Sequence, residues 1–310
     1  MQPESPRVAS LTPAEFRSRL TGTGLGLRVG PFDLCVQARV AGLYEPLQTL
    51  YSGYPVLDHH HVFSAHVQLS EMRSLRARFV REVRFLVDGR APHEDMPAAQ
   101  ALPVLEWGIN LVIALRFHCF LMLHAAVLER NGHALLMPAA PGCGKTTLCA
   151  ALAHRGWRLL SDEFGLLRPG TDSLLPVPRP MPLKNESIGV IRDFLPEATF
   201  GPEIPGTRKG TVAHVRPPAS SVEGTLRPAP ARWIVFPQWV AGAALSLQPL
   251  APAEGFMNLA TNAFNYEKHG ESGFETVRSL IDRARCFSLV YSDLGEAVDA
   301  LGRLADDDAR

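Results

Sequence analysis

The chain has 310 residues, 46% of them hydrophobic, and 31 basic residues balance 31 acidic ones. That length can bury one large core or two modest ones, and the even charge balance argues against both a basic nucleic-acid footprint and a polybasic membrane patch. The cysteines Cys35, Cys119, Cys143, Cys149 and Cys286 are scattered without metal spacing, and the N-terminus lacks a basic start followed by an apolar core. Both features predict a reduced, cytoplasmic protein with no disulfide framework.

In chain order, Thr12–Leu20 reads as a short helix with Thr12 as cap and Pro13 at its first position. Gly22, Gly24, Gly26 and Gly30 then break structure. The segments "FDLCVQARV", "HHHVFSAHVQLS" and "RARFVREVRFLVDG" alternate at period two, so residues 27–90 read as a small, mostly antiparallel β-module. Arg73, Arg76, Arg78, Arg81 and Arg84 give it a basic stripe, a solvated strand face in preference to a peptide-docking surface. Asp58, His59, His60 and His61 invite a metal reading, but adjacent histidines on a strand point to opposite faces, so no metal site is expected. The Pro/Ala stretch "APHEDMPAAQALP" marks a linker, which puts a module over 1–96 and a second domain over 97–310.

Ile109 to Leu128 has the length of a membrane span but carries Arg116, His118 and His124. It reads as a core helix running into a core strand. Two apolar runs, Leu121–Leu128 and His133–Pro138, flank Asn131-Gly132, the dipeptide that best supplies positive φ in a tight hairpin. The second run enters "AAPGCGKTT" and then a helical pattern ending near Gly156. Strand, Gly-rich turn and helix in that order form a phosphate-binding loop, because unpaired N–H groups of the turn and helix start converge on an anion. The loop comprises Ala139, Pro141, Gly142, Cys143, Gly144, Lys145, Thr146 and Thr147, with Ala139 where the strict pattern has Gly. Lys145 would reach the terminal phosphates of ATP and Thr146 would ligate Mg²⁺. Cys143, at the helix start beside Lys145, is expected to be the most reactive thiol and to be shielded by Mg-ATP.

"WRLLSDE" follows as a strand that could lie beside the loop strand, ending in Asp162 and Glu163 at the phosphate end. Two adjacent acids allow one to serve the metal and one to act as base toward an incoming hydroxyl. The proline-dense "LPVPRPMPLKNES" suits an irregular, shaped surface. "GTRKGT" puts Arg208 in a Gly-bounded loop that either neutralises a transferring phosphoryl group or is a solvated basic turn. "RWIVFPQWV", "ALSLQPL" and "CFSLVYS" read as strands, "GFETVRSLIDRAR" and "LGEAVDALGRL" as helices, and the tail "ADDDAR" as frayed.

The spacing of His124, "PGCGKT" and Asp162-Glu163, with "LEWGIN", "RGWRLLSDE", "LKNES" and "TRKGT", resembles the bacterial HPr kinase/phosphorylase catalytic domain, and most of all the HPr kinase-related kinases. The likeness runs from about Leu105 to Leu301. It implies an α/β fold: a P-loop kinase core of the HPr kinase/carboxykinase type, here with a small, mostly β N-terminal module. By that resemblance Asp162 takes the proton from a serine hydroxyl, His124 orients it, and Glu163 serves Mg²⁺. The likeness also makes Glu186 a candidate acid near the metal, although a plain helix-start acid fits equally. Arg208 matches an arginine in a comparable loop, although the family's "PGRN" is absent here.

The expected activity is ATP-dependent transfer of the γ-phosphoryl group to a serine of a peptide or small protein. A small-metabolite kinase or carboxykinase-like enzyme, and a nucleotide-binding switch or chaperone, stay open as alternatives, as does association with further copies of the chain.

Overall fold

The structure is a computed structural model that describes residues 6–72, 81–140 and 142–308. Arg73, Arg76 and Arg78 of the basic stripe, and Pro141 of the loop, lie outside those residues. In chain order the elements begin with α1 (Pro13–Thr21), β1 (Leu25–Val29), β2 (Phe32–Arg39), α2 (Tyr44–Leu50), β3 (Val56–Leu57), β4 (Ala65–Glu71), β5 (Glu82–Val87), β6 (Met96–Pro97) and α3 (Ala101–Arg116). They continue with β7 (Leu121–Arg130), β8 (His133–Pro138), α4 (Lys145–Ala153), β9 (Arg158–Ser161), β10 (Phe164–Leu167) and β11 (Ser173–Leu175). Next come β12 (Met181–Lys184), α5 (Glu186–Phe194), β13 (Ile204–Thr207), β14 (Gly210–Val215) and α6 (Ala219–Glu223). The chain closes with β15 (Ala229–Trp239), β16 (Ser246–Pro249), α7 (Pro252–Thr261), α8 (Tyr266–Arg283), β17 (Arg285–Tyr291) and α9 (Leu294–Asp307). The fold is mixed α/β.

Two compact units result. The first takes Met1–Arg116, Pro182–Ile188 and Glu197–Arg216; the second takes Phe117–Met181, Gly189–Pro196 and Pro217–Arg310. The division after Arg116, where the sequence suggested 96, follows from where α3 finds its partners. In the first unit a six-stranded sheet runs β3-β1-β2-β4-β5-β6, antiparallel except for β2 with β4. Helix α3 packs on β4 and β5, and the buried Glu106 on it accepts a hydrogen bond from the Tyr51 hydroxyl at 2.8 Å. The run Ala98–Arg116 is long and apolar enough to cross a membrane, yet 61% of its apolar window is buried inside the fold. Helix α1 starts as its sequence predicts, with a capping box between Thr12 and Glu15 and proline in the first turn.

The second unit is built on a sheet ordered β11-β10-β7-β8-β15-β17-β16, with β9 also on β7. Strand β11 pairs with β15 as well, so β10, β7, β8, β15 and β11 close on themselves. The β7–β8 hairpin turns on Asn131 at φ 54° and Gly132 at φ 81°, the expected pair of positive φ values. Strands β8, β15 and β17 are parallel, so their carboxyl ends face one edge. Leu121, Leu123, Ala125 and Val127 join Leu259, Val277 and Leu280 of α7 and α8 in one core; helix α4 also packs on β7 and against α9. Of the tail read as frayed, Ala305–Asp307 continue α9 and Asp308 caps it, while the last two residues lie outside those described. There Asp306 pairs with Arg130, and Asp308 pairs with Arg285 and accepts from the Trp233 indole.

Gly108 on α3 tests this packing, because a Cβ there would overlap the Phe85 ring of β5. Gly108→Ala should therefore destabilise the protein by about 1–3 kcal/mol through overpacking, outweighing a helix-propensity gain of about 1 kcal/mol. Chemical denaturation checks this, with a lowered midpoint expected.

Candidate functional site

Strand β8 delivers the chain into the loop at the end where the parallel strands β8, β15 and β17 finish, the end at which α/β folds place their ligands. Ala139 is buried, while Gly142 and Gly144 have φ values of 91° and 83°, a region closed to most other residues. Helix α4 begins at Lys145, and no side chain caps it. Its first-turn amides, including those of Thr146 and Thr147, are thus left without a side-chain acceptor at an N-terminus suited to an anion.

The loop is held from the neighbouring strands. The Trp239 amide donates to the Cys143 carbonyl at 3.2 Å, and the Tyr291 hydroxyl donates to the Gly144 carbonyl at 3.3 Å. A methyl group on Gly144 would sit 2.6 Å from that hydroxyl and 3.0 Å from Trp239 Cβ, so only glycine fits. Burial, with Cys143 beside it, pushes the Tyr291 hydroxyl up, keeping it a protonated donor.

Asp162 and Glu163 reach the same level by a different route. Strands β9 and β10 are two halves of one line running antiparallel along a single edge of β7, with Ser161 opposite Val127 and Phe164 opposite His124. The break between them comes from Ser161, whose Oγ accepts from the Glu163 amide at 3.3 Å and the Phe164 amide at 2.9 Å. The two acids therefore leave the ladder beside Ala125 and Ala126. On the other edge of β7, Pro138 at the loop entrance lies opposite Ala125. The strand carrying the acids is thus not beside the loop strand, as expected from sequence, but beyond β7. Two strand spacings separate them, about 10 Å.

Lys145 spans that gap, its Nζ donating to the Asp162 carbonyl at 2.9 Å. Both residues are only 7% exposed. One helical turn on, Cys149 is fully buried, and burial together with the charge of Asp162 holds its thiol well above the ordinary range. Cys286 is pushed up to about 11 by burial alone. Cys143 is half-buried, whereas Cys119 is exposed, so the exposed thiol of the chain lies outside the loop.

His124 shares a face of β7 with Ala126, and its Nε2 lies 3.8 Å from the Glu163 carboxylate. Above the end of β8, the segment Asn262–Phe264 takes over that edge of β7. The His124 amide donates to the Asn262 carbonyl at 2.6 Å, and the Phe264 amide donates to the Met122 carbonyl at 2.8 Å. Phe264 packs against His124 and Phe164, with centroids 5.3 and 5.5 Å away, yet stays 48% exposed. Sequence reasoning picked out neither Phe264 nor Trp239. Trp239 ends a strand that already carries Trp233 and Phe236, and Phe264 lies in the link between α7 and α8, so nothing local marks either as exposed.

Glu186 and Arg208 belong to the first unit. Glu186 is the exposed first residue of α5, a helix-start acid. Arg208 is exposed in the tight turn between β13 and β14, where Thr207 Oγ1 accepts from the Lys209 amide, so "GTRKGT" is a hairpin turn. The Asp58–His61 run is likewise a turn and not a strand. The His61 amide donates to the Asp58 carbonyl, and the rings of His59 and His60 come within 3.9 Å. Donor atoms of Asp58, His59 and His60 thereby approach within 4.8 Å, all on exposed side chains. No protein-family model matches the chain, and a search of curated proteins finds no match.

Gly144→Ala should lower stability by about 2 kcal/mol, since it combines a left-handed backbone penalty of about 1–2 kcal/mol with the clash at Tyr291. Tyr291→Phe, which keeps the ring and loses one hydrogen bond, should cost about 1 kcal/mol. Denaturation midpoints of the two variants check the order.

Proposed function

We propose that the chain is an ATP-dependent phosphotransferase that moves the γ-phosphoryl group to a hydroxyl, most simply that of a serine on a peptide or small protein in the cytoplasm. One observation carries the reading: Lys145, at the start of an uncapped helix, reaches the Asp162 carbonyl, which ties the Gly-rich loop to the acid pair. A charged lysine, free amides and two carboxylates at one sheet edge are the parts needed for phosphoryl transfer, where positioning and electrostatics do most of the work. The likeness to HPr kinase in the same motifs supports the choice of acceptor.

In the reaction Lys145 leaves the carbonyl for the phosphate oxygens, which the loop amides also bind. A carboxylate takes the acceptor's proton as its oxygen bonds to the γ-phosphorus. The bond from that phosphorus to the bridging oxygen breaks and ADP leaves. Thr146 and Glu163 supply hard oxygen donors of the kind Mg²⁺ prefers; when bound, that ion would neutralise charge on the phosphates. Glu186 has no part in this scheme, because its place at the exposed start of α5 accounts for it.

The resemblance makes Asp162 the base, positioned in the pair with His124. A second assignment is favoured by exposure: Glu163 is the more open acid and is the one facing His124.

Lys145→Ala should lose thermal stabilisation by Mg-ATP, and an unchanged shift would contradict the loop assignment. Asp162→Asn should still bind Mg-ATP and lose turnover by about 10²–10⁴-fold; if Glu163→Gln shows that loss instead while its Mg-ATP affinity is unchanged, Glu163 is the base. ADP release that depends on an added serine peptide supports the kinase. Release indifferent to any acceptor points to a nucleotide switch, and a labelled metabolite in place of a labelled peptide points to a small-molecule kinase. Alkylation of Cys143, read by peptide mapping, should slow with Mg-ATP while that of Cys119 does not.

A further inference from the structure

Two aromatic side chains, each about half exposed, lie at the site: Phe264 against His124 and Phe164, and Trp239 against the loop. Across the sheet the order is β9 and β10, then β7, β8 and β15. Phe264 lies on the acid flank with His124, the end where an acceptor hydroxyl has to enter. Trp239 lies on the opposite flank. It is the last residue of β15, which runs past the level where β8 turns into the loop, since Leu136 pairs with Ile234.

The setting of Trp239 is unusual for a surface tryptophan. Its amide supports the loop at the Cys143 carbonyl, its Cβ closes on Gly144, and its indole Nε1 donates to the Ser292 carbonyl at 3.1 Å. The ring is therefore fixed in orientation while 49% of the residue stays exposed. A large apolar ring held open to solvent by its own hydrogen bond loses contact that packing would supply, and it offers a preorganised face to a flat ligand.

The phosphotransferase reading fixes which ligand part arrives there. The transferring phosphoryl group must face Lys145 and the acids, so the remainder of the nucleotide must leave over the other flank. We propose that Trp239 is the nucleobase platform of this site: the base stacks on its indole, which sets the nucleotide's direction across the loop. This rests on the loop binding a nucleoside triphosphate, and the experiment separates the two claims.

Binding of Mg-ATP and of magnesium tripolyphosphate is measured by calorimetry for the wild type, Trp239→Ala and Trp239→Phe. The alanine variant keeps both the amide and the Cβ that support the loop and removes only the ring. Mg-ATP affinity should fall about tenfold in Trp239→Ala, the scale of one base–aromatic stack, with tripolyphosphate unchanged, and Trp239→Phe should regain most of the loss. Trp239→Leu, apolar but unable to stack, replaces the alanine variant if that one does not fold. Equal weakening of both ligands would make the ring a loop support only, and unchanged Mg-ATP affinity would place the base elsewhere; either result overturns the proposal. If the wild type binds neither ligand, the loop reading itself fails.

Discussion

A β-strand has two edges, and in this protein both edges of β7 are divided between successive partners at the same height. On one edge β8 gives way to Asn262–Phe264; on the other β9 gives way to β10. Backbone that leaves a sheet must satisfy its polar groups in another way. Ser161 does so for the acid turn by accepting two amides, and Trp239 and Tyr291 do so for the loop carbonyls. The candidate site is the pair of breaks, bridged by Lys145.

That arrangement explains the burial pattern. Lys145 can be almost fully buried because the Asp162 carbonyl receives its Nζ, whereas a buried donor with no acceptor would be costly there. Cys149, a turn further along α4, fills the space beneath the acid turn with a thiol that burial keeps protonated. The polar elements that would meet phosphate are thus seated on an apolar floor, which fixes their positions before any ligand arrives.

Much of this was legible in the chain. Asn131-Gly132, the Gly-rich run and the cap at Thr12 are local signals whose physics does not depend on distant residues, and each element formed where the signal lay. Pairings were not legible in the same way. The apolar strand before Asp162 could join either neighbour, and the choice of β7 depends on β15 having already taken the free edge of β8. The domain boundary misled for a similar reason. The Pro/Ala stretch looks like a linker, but α3 beyond it finds its hydrophobic partners on β4 and β5. In the Asp58–His61 run the turn tendency of Asp58, whose carboxylate captures the His60 amide, prevails over the strand-like pattern that follows it.

The central claim is that the loop and the acid turn are two halves of one phosphate site joined by Lys145. Amide hydrogen exchange of residues 139–147 and 161–164, followed with and without saturating Mg-ATP, addresses it most directly. Exchange should change in both segments together: the loop slows as phosphate engages its amides, and the acid turn responds as Lys145 is drawn off the Asp162 carbonyl in the same step. A change in neither segment, in the loop alone, or only in a part of the chain remote from both, would contradict the account.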